Sequence, residues 1–114
     1  MSDCLFCKIG SGQIPAKVVL QDDEVLAFDD VNPQAPVHVL VIPKRHIVDL
    51  NEAGAGDRAL LASLLDAATQ VAKKKGIAEA GYRVVVNQGR HGGQTVFHLH
   101  LHVLGGRHMT WPPG

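Results

Sequence analysis

The sequence predicts an α+β domain: a five-stranded, largely antiparallel sheet with one long helix and one short N-terminal helix. Five short apolar segments with hairpin-length links among them favour antiparallel strands. One longer segment instead repeats its apolar residues at the spacing of a helix. The length of 114 residues suits one domain, which we take to span residues 1–114.

The first half of the chain supplies a short helix and three strands. Apolar side chains three residues apart predict a helical turn at Cys4–Ile9. Val18–Leu20 and Glu24–Phe28 predict a hairpin because a short, turn-forming spacer separates them. The two prolines of segment 29–36 predict a loop, and the apolar segment Val37–Ile42 predicts a buried strand that ends at a proline.

The second half supplies the long helix and two more strands. Asp57–Lys75 predicts the helix, with Gly76 as its C-terminal cap. Strands are predicted at Tyr82–Val86 and Phe97–Leu104, and the glycine-rich segment 87–95 between them predicts a loop. The apolar stripe of the helix consists of Leu60, Leu61, Leu64, Leu65, Ala68, Val71 and Ala72.

The composition argues against two classes of function. Eleven basic and eleven acidic residues cancel, whereas a protein that binds a nucleic-acid polymer or a membrane surface needs a basic field. A small nucleotide stays open as a ligand, since a few local donors suffice to bind it. The first residues lack the features of a secretory signal, and no apolar run is long enough to span a bilayer, so a cytoplasmic location is expected.

Cys4 and Cys7 are the two cysteines of the chain, in C-x-x-C spacing. Thiols stay reduced in a chain without an export signal, so the pair favours a metal site over a structural disulfide. A thioredoxin-like dithiol is a further interpretation, but that motif follows a strand in a βαβ unit. This pair lies at the start of the chain instead.

Three histidines alternate with apolar residues in the last predicted strand. Because side chains alternate across a strand, His98, His100 and His102 are expected on one face, roughly 6.6 Å from one to the next. A lone histidine there is usually a hydrogen-bonded core residue, but three buried imidazoles need several partners, which favours a functional site. The opposite face then carries Phe97, Leu99, Leu101 and Val103.

Two chemistries use such a row of imidazoles. Histidines two residues apart can bind one metal ion, as in a zinc hydrolase or a cupin-like site. Alternatively, one imidazole is a nucleophile and its neighbours handle protons and charge. The preceding loop favours the second chemistry, because Gly89, Gly92 and Gly93 can turn backbone N–H groups toward an oxyanion. Gln94 and Thr95 add side-chain donors.

The segment His98–Leu104 resembles the signature of the histidine triad superfamily of nucleotide hydrolases and transferases, in which histidines alternate with apolar residues. The similarity to one branch, the histidine triad nucleotide-binding proteins or purine nucleoside phosphoramidases, extends over nearly the whole chain. The other similar segments are Ile14-Pro15-Ala16-Lys17, Pro33-Gln34-Ala35-Pro36, His38, Ile42-Pro43-Lys44, Gly92-Gly93-Gln94, Gly105-Gly106-Arg107 and Trp111-Pro112-Pro113-Gly114.

The resemblance implies a hydrolase that cleaves the P–N bond of purine nucleoside 5′-phosphoramidates without a catalytic cofactor. It implies that His100 attacks the α-phosphorus and forms a nucleotidyl-histidine intermediate. An imidazole is nucleophilic only when neutral, and a hydrogen bond on its other nitrogen would fix the tautomer. His102 and His38 match positions near the phosphate and the leaving group, which needs a proton to depart.

The resemblance also implies a pocket for purine nucleoside monophosphates and phosphoramidates, and a homodimer. Asp30 matches the carboxylate that accepts the ribose hydroxyls. Trp111, in the C-terminal tail 105–114, matches a residue that reaches the partner's site. The base-pocket positions are Phe6, Ile9, Phe28 and Val31, and the phosphate or leaving-group positions are Asn87, Gly93, Gln94 and Thr95.

Two features depart from the animal members of this branch. Thr95 stands where they carry serine, which keeps the hydroxyl. Cys4 and Cys7 are absent from them but resemble a zinc-binding subset of the superfamily, whose two further ligands would here be His46 and His98. Such Cys₂His₂ coordination is typical of a closed, structural zinc site, and a pair of thiols without metal is the alternative.

Two other functions stay open from the sequence. One is a metal-dependent hydrolase with zinc on His98, His100 and His102. The other is a nucleotide-sensing module without catalysis. His91 and His108 are assigned no role, because loop histidines are usually solvated.

Overall fold

The computed structural model describes residues 3–114 and confirms the predicted α+β class. Its five-stranded sheet carries one long helix and one short N-terminal helix. A 3₁₀ turn, Ala55–Asp57, leads into the long helix. In chain order the other elements are α1 (Leu5–Gly10), β1 (Val18–Gln21), β2 (Val25–Asp29), β3 (Val37–Pro43), α2 (Arg58–Lys74), β4 (Tyr82–Val85) and β5 (Leu101–Gly105). Among residues 3–114, no helix has the length and apolar character needed to cross a membrane.

The sheet has the strand order β1-β2-β3-β5-β4, and each of its pairings is antiparallel. The predicted β1–β2 hairpin is confirmed. Its turn is closed by Asp22, whose carboxylate accepts the N–H groups of Glu24 and Val25 at 2.8 and 2.9 Å. In the centre of the sheet, Leu40 of β3 lies opposite His102 of β5. Side chains of β3 and β5 at such positions share one face.

The long helix α2 begins and ends one residue inside the predicted bounds. At its end, Gly76 has a φ of 74° and the N–H of Ile77 donates to the carbonyl of Ala72, which is a Schellman motif. The prediction that Leu65 belongs to the buried stripe is wrong, since 56% of its side chain is exposed. A rotation of about 100° per residue places position 65 at the edge of the stripe centred on Leu64.

The two faces of the sheet pack against different elements. Helix α2 covers one face, where it contacts alternate residues of β2, β3 and β5. Helix α1 covers part of the other face through Phe6, which packs against apolar residues of β2 and β3. His38 and His102 lie on the same face as α1 by strand alternation. His38 and His102 therefore face away from α2.

The strand that carries the histidines is shorter than the sequence predicts. β5 begins at Leu101, so His102 lies in the sheet while His98 and His100 lie in the irregular segment before it. The prediction of one strand bearing all three histidines is therefore wrong. The physical reason is that β3 ends at Pro43, which has no N–H with which to extend the pairing.

The segment before β5 is held by the loop that follows β3. The N–H of Leu99 donates to the carbonyl of Ile47 at 2.7 Å, and both side chains are buried in the α2-side core. Phe97 lies outside this contact and is 56% exposed. The expectation that Phe97 packs on the same buried face as Leu99 is therefore wrong.

Candidate active site

A cavity of about 1030 Å³ opens on the face of the sheet that α2 does not cover. Ligand pockets of roughly 300–1,000 Å³ suit small organic molecules. Its floor carries histidines from β3, from β5 and from the segment before β5, and α1 and segment 14–17 form apolar walls. The predicted site residues that line it are Phe6, Ile9, Phe28, Asp30, Val31, His38, Thr95, His100 and His102.

His100 is a buried imidazole whose tautomer is fixed by the backbone. Its Nδ1 lies 2.7 Å from the carbonyl oxygen of His98, and only 6% of the residue is exposed. A carbonyl can only accept a hydrogen bond, so Nδ1 carries the proton and donates it. In the neutral ring, Nε2 then keeps its lone pair. A neutral His100 can therefore react as a nucleophile through Nε2.

His38 and His102 form a directed chain of hydrogen bonds beside His100. The N–H of Gln34 donates to Nδ1 of His38 at 3.0 Å, so the proton of a neutral His38 ring is on Nε2. Nε2 of His38 lies 2.9 Å from Nδ1 of His102 and donates to it. The proton of His102 is consequently on Nε2, a buried atom without a hydrogen-bond partner among residues 3–114. This donor is available to a ligand that brings an acceptor.

The electrostatic surroundings keep both rings of this chain neutral at neutral pH. The pKa of His102 is lowered to about 4, chiefly by burial and then by the neighbouring His100 and His38, while the Asp30 carboxylate opposes the shift. Burial also lowers the pKa of His38, against the attraction of the Asp30 carboxylate 3.4 Å away. Neutral rings agree with the proton positions inferred from the hydrogen bonds.

Asp30 stands on the wall of the cavity with one oxygen engaged and the other near His38. Its Oδ1 accepts the N–H of Asn32 at 2.9 Å, and 18% of its side chain is exposed. An ionised carboxylate offers only acceptors. Asp30 can therefore accept hydrogen bonds from hydroxyl groups of a ligand. Val31 follows it at the cavity rim and is fully exposed.

Two of the three glycine amides expected to bind an anion, those of Gly89 and Gly93, are engaged within the loop. The N–H of Gly93 donates to Arg90, and the N–H of Gln94 donates to the carbonyl of Gly89. Gly89 donates in turn to Oε1 of Gln94. For Gly89 and Gly93 the expected amide nest is wrong, because their amides close the loop on itself. Gly92 is needed for close packing, since a Cβ there would lie 2.4 Å from the Gln88 carbonyl oxygen.

The side chain of Gln94 does not line the cavity but holds the glycine-rich loop in place through hydrogen bonds. Its amide nitrogen donates to the carbonyls of Val48 and Val96 at 2.9 and 3.2 Å. With its oxygen bonded to Gly89 as well, the buried side chain ties the loop to the segment after β3. Thr95 is the residue of this loop that lines the cavity and offers a hydroxyl.

Three further predicted contacts lie away from the cavity of this chain. Asn87, Gly93 and Trp111 do not line it. Trp111 is 81% exposed, and the guanidinium of Arg83 lies 6.0 Å from the centre of its ring. Arg83 also donates to the carbonyl of Thr110 at 2.8 Å. The tail is thus held near β4, and the role expected for Trp111 needs a second copy of the chain.

Sequence reasoning missed several residues of the cavity wall. Leu40 could have been found, because it lies two residues after His38 on a strand and shares its face. Gln34 also lines the cavity, and its contribution to His38 comes from a backbone amide, which no sequence pattern reveals. The remaining missed residues of the wall are Leu5, Ile14, Pro15, Ala16, Lys17, Asp29, Asn32 and Val96.

A second cluster lies next to the cavity and contains the four residues expected to hold zinc. Nδ1 of His98 lies 3.3 Å from the sulfur of Cys4 and 3.5 Å from that of Cys7. Nδ1 of His46 lies 3.2 Å from the Cys7 sulfur and 3.2 Å from Nδ1 of His98. All four ligand atoms lie within 4.8 Å of one another.

The spacing and protonation of this cluster fit tetrahedral zinc. With zinc bonds of about 2.05 Å to nitrogen and 2.3 Å to sulfur, ligand pairs are roughly 3.3 Å (N–N) and 3.6 Å (S–N) apart. Nε2 of the fully buried His98 donates to the carbonyl of Pro43 at 2.7 Å, which leaves the lone pair on Nδ1. Burial lowers the pKa of His98, and a neutral ring is the form that binds a metal.

The alternative of one metal held by all three histidines of the row does not fit the geometry. His98 belongs to the cluster with Cys4 and Cys7, whereas His100 and His102 line the cavity. Nδ1 of His100 is already engaged with a carbonyl. The imidazoles of His98, His100 and His102 therefore do not point to one common metal position.

Comparisons with known proteins agree on one family. The model of the HIT domain family matches residues 11–109. An uncharacterised HIT-like protein of Synechococcus elongatus is 55% identical over 112 residues, which is 98% of this chain and 97% of that protein.

Solved structures show the same similarity. A HIT family hydrolase from Legionella pneumophila matches with a TM-score of 0.96 and 54% identity, covering 98% of this chain and 100% of that one. A histidine triad nucleotide-binding protein from Candida albicans matches with a TM-score of 0.83 and 31% identity, covering 96% of this chain and 83% of that one.

Proposed function

The chain belongs to the HIT domain family, and from this premise we propose that it hydrolyses the P–N bond of purine nucleoside 5′-phosphoramidates. The observation that carries the proposal is that one cavity holds two imidazoles in opposite tautomers, one with a lone pair on Nε2 and the other with a proton there. Nε2 of His100 has a lone pair, because Nδ1 donates to a carbonyl. Nε2 of His102 has a proton and no partner among residues 3–114. The similar Legionella protein is a HIT family hydrolase and the similar Candida protein is a histidine triad nucleotide-binding protein, which supports the same class of function.

The first step is attack by His100. Its Nε2 lone pair forms a bond to the α-phosphorus while the P–N bond to the leaving amine breaks. The departing nitrogen takes one proton from solvent, and the neutral His102 ring donates a hydrogen bond from Nε2–H to the reacting group. The carbonyl of His98 stabilises the positive charge that His100 gains, because it accepts the Nδ1–H at 2.7 Å.

The second step returns the enzyme to its starting state. Water attacks the phosphorus of the nucleotidyl-His100, one proton is released to solvent, and His100 leaves with its lone pair restored. The sum is one phosphoramidate and one water converted to one nucleoside monophosphate and one amine. The histidine chain from His38 to His102 holds the second ring in one tautomer through both steps.

The nucleoside is placed by the apolar wall and by Asp30. Phe6, Ile9 and Phe28 line the cavity beside His100 and offer apolar surface to a purine ring. The carboxylate of Asp30 accepts the ribose hydroxyls. Thr95 contributes its hydroxyl near the phosphate or the leaving group.

We also propose that the chain works as a homodimer with structural zinc. β4 is an edge strand of the sheet, and its half-buried residues can pair with a second copy. The exposed Trp111 on the tail beside β4 would then approach the partner's cavity. Zinc, when bound by Cys4, Cys7, His46 and His98, supplies a cross-link between α1 and the segments around β3 and β5.

Hydrolysis of adenosine 5′-phosphoramidate, followed by the appearance of AMP, tests the proposal. His100→Ala should abolish turnover and leave AMP binding within a few fold, because the nucleophile is lost and the cavity wall remains. His108→Ala is the matched control, since His108 is exposed and lies outside the cavity, and its activity should equal the wild type. Turnover retained by His100→Ala would refute the mechanism, and AMP binding without any hydrolysis by the wild type would indicate a sensing module.

A further inference from the structure

The zinc-type cluster and the nucleotide cavity share one short helix. Cys4 caps the start of α1 and Cys7 lies in its first turn, while Leu5, Phe6 and Ile9 of the same helix line the cavity. Cluster and cavity residues therefore alternate within a few positions of the chain. Any change in how the two sulfurs are held acts directly on the cavity wall.

Helix α1 has little stability of its own. It spans Leu5–Gly10, six residues, and isolated helices shorter than about 12 residues do not persist in water. Phe6 is its one buried residue. Besides the partly buried Ile9, the helix is anchored by the Phe6 side chain and by the cluster through Cys4 and Cys7.

Phe6 lies where it touches both sites. Its ring is edge-on to His100, with centroids 5.1 Å apart and an interplanar angle of 90°, and it also contacts Phe28 at 5.6 Å. On the cluster side it contacts the ring of His98 at 5.9 Å. A shift of α1 would move the aromatic wall away from His100 and widen the cavity on the base side.

We propose that metal binding by Cys4, Cys7, His46 and His98 sets the nucleotide affinity by holding α1, with Phe6 as the positioning residue. The inference rests on the proposed nucleotide binding and adds a regulator to it. Without metal, the nucleotide must order α1 and its cavity side chains itself. Because ordering these side chains costs binding free energy, we expect the affinity for a purine monophosphate to fall about tenfold. The carbonyl of His98 keeps its bond to His100 through the Leu99–Ile47 contact, so the nucleophile is preserved.

The test compares the full chain loaded with one zinc per chain, the chelated chain, and Cys4→Ser/Cys7→Ser. AMP affinity is measured by calorimetry, and hydrogen exchange is followed in a peptide that covers α1. Lys8→Ala is the matched control on the same helix, because its side chain lines neither the cavity nor the cluster. We expect metal removal to weaken AMP binding about tenfold and to raise exchange in α1, with both restored by zinc, and Lys8→Ala to behave as wild type.

Each outcome decides the inference. Equal AMP affinity with and without zinc would overturn it while leaving the proposed hydrolase intact, as would a protein that binds no zinc. A loss of affinity without increased exchange in α1 would also overturn it. Should the zinc-loaded protein bind no AMP, the proposed function fails and the inference with it. Chelation of the wild-type chain gives the answer even where the double variant does not fold.

Discussion

The hydrogen-bond chain through His38 can be tested with a single substitution. His38→Ala removes the donor to Nδ1 of His102 and the acceptor for the Gln34 N–H. Gln34 is exposed, so water can replace its lost partner. His102 is partly buried and is left free to rotate or to change tautomer. We therefore expect the main effect on the proton that His102 offers at Nε2.

The size of the effect follows from the hydrogen bond lost. Leaving a buried group unpaired or misoriented costs about 1–3 kcal/mol, and each 1.36 kcal/mol in the barrier is about tenfold in rate. We expect kcat for adenosine 5′-phosphoramidate to fall about 10- to 100-fold in His38→Ala. His38→Gln should recover part of this loss, because its amide N–H can occupy the place of Nε2–H.

Steady-state hydrolysis at neutral pH measures both variants, with circular dichroism to show that each is folded. The pattern expected is wild type above His38→Gln above His38→Ala in kcat, with KM changed less than kcat. The reasoning would be refuted if folded His38→Ala turned over within twofold of the wild type. It would equally be refuted if glutamine were no better than alanine.

Three further predictions concern stability. Because the pKa of His102 is lowered to about 4 and that of His38 is also lowered, the unfolded chain takes up protons below about pH 6.5 that the folded chain does not. Stability from this source is fully present above that pH and is lost as the pH falls toward 5; urea titrations that give equal free energies of unfolding at pH 7 and 5 would contradict it. Leu64→Ala should cost about 2–5 kcal/mol, since Leu64 is fully buried. Leu65→Ala should cost under about 0.5 kcal/mol, and similar urea midpoints for the two would disprove the assigned helix face. Gly92→Ala should lower the melting temperature, because its Cβ would lie 2.4 Å from backbone, and an unchanged melting temperature would argue against that loop geometry.

Much of the fold could be predicted because periodicity reports burial directly. The helical spacing of the α2 stripe predicted the helix and its buried face, and the nearly continuous apolar run of β3 predicted a buried strand. The error at Leu65 arose because a helical stripe has a graded edge. The error in the start of β5 arose because pairing depends on the partner strand, and β3 ends at Pro43.

For the candidate site, too, some features could be predicted from the sequence and others could not. Side-chain types with distinctive chemistry, such as the histidines and cysteines, indicated which residues to examine. Backbone partners could not be predicted, since any residue has a carbonyl and an amide. The carbonyl of His98 that fixes His100, and the Gln34 amide that orients His38, became visible only in the folded chain. For the same reason it was not foreseen that the amides of Gly89 and Gly93 are bonded within the loop.

The central claim is that Nε2 of His100 forms a covalent bond to phosphorus, and one measurement tests it most directly. The enzyme is quenched with acid-free denaturant during turnover of adenosine 5′-phosphoramidate, digested, and analysed by mass spectrometry. We predict an adenylyl adduct on His100, absent from the unreacted enzyme and from His100→Ala. An adduct on another residue, or turnover with no adduct on His100 under conditions that preserve phosphohistidine, would contradict the account.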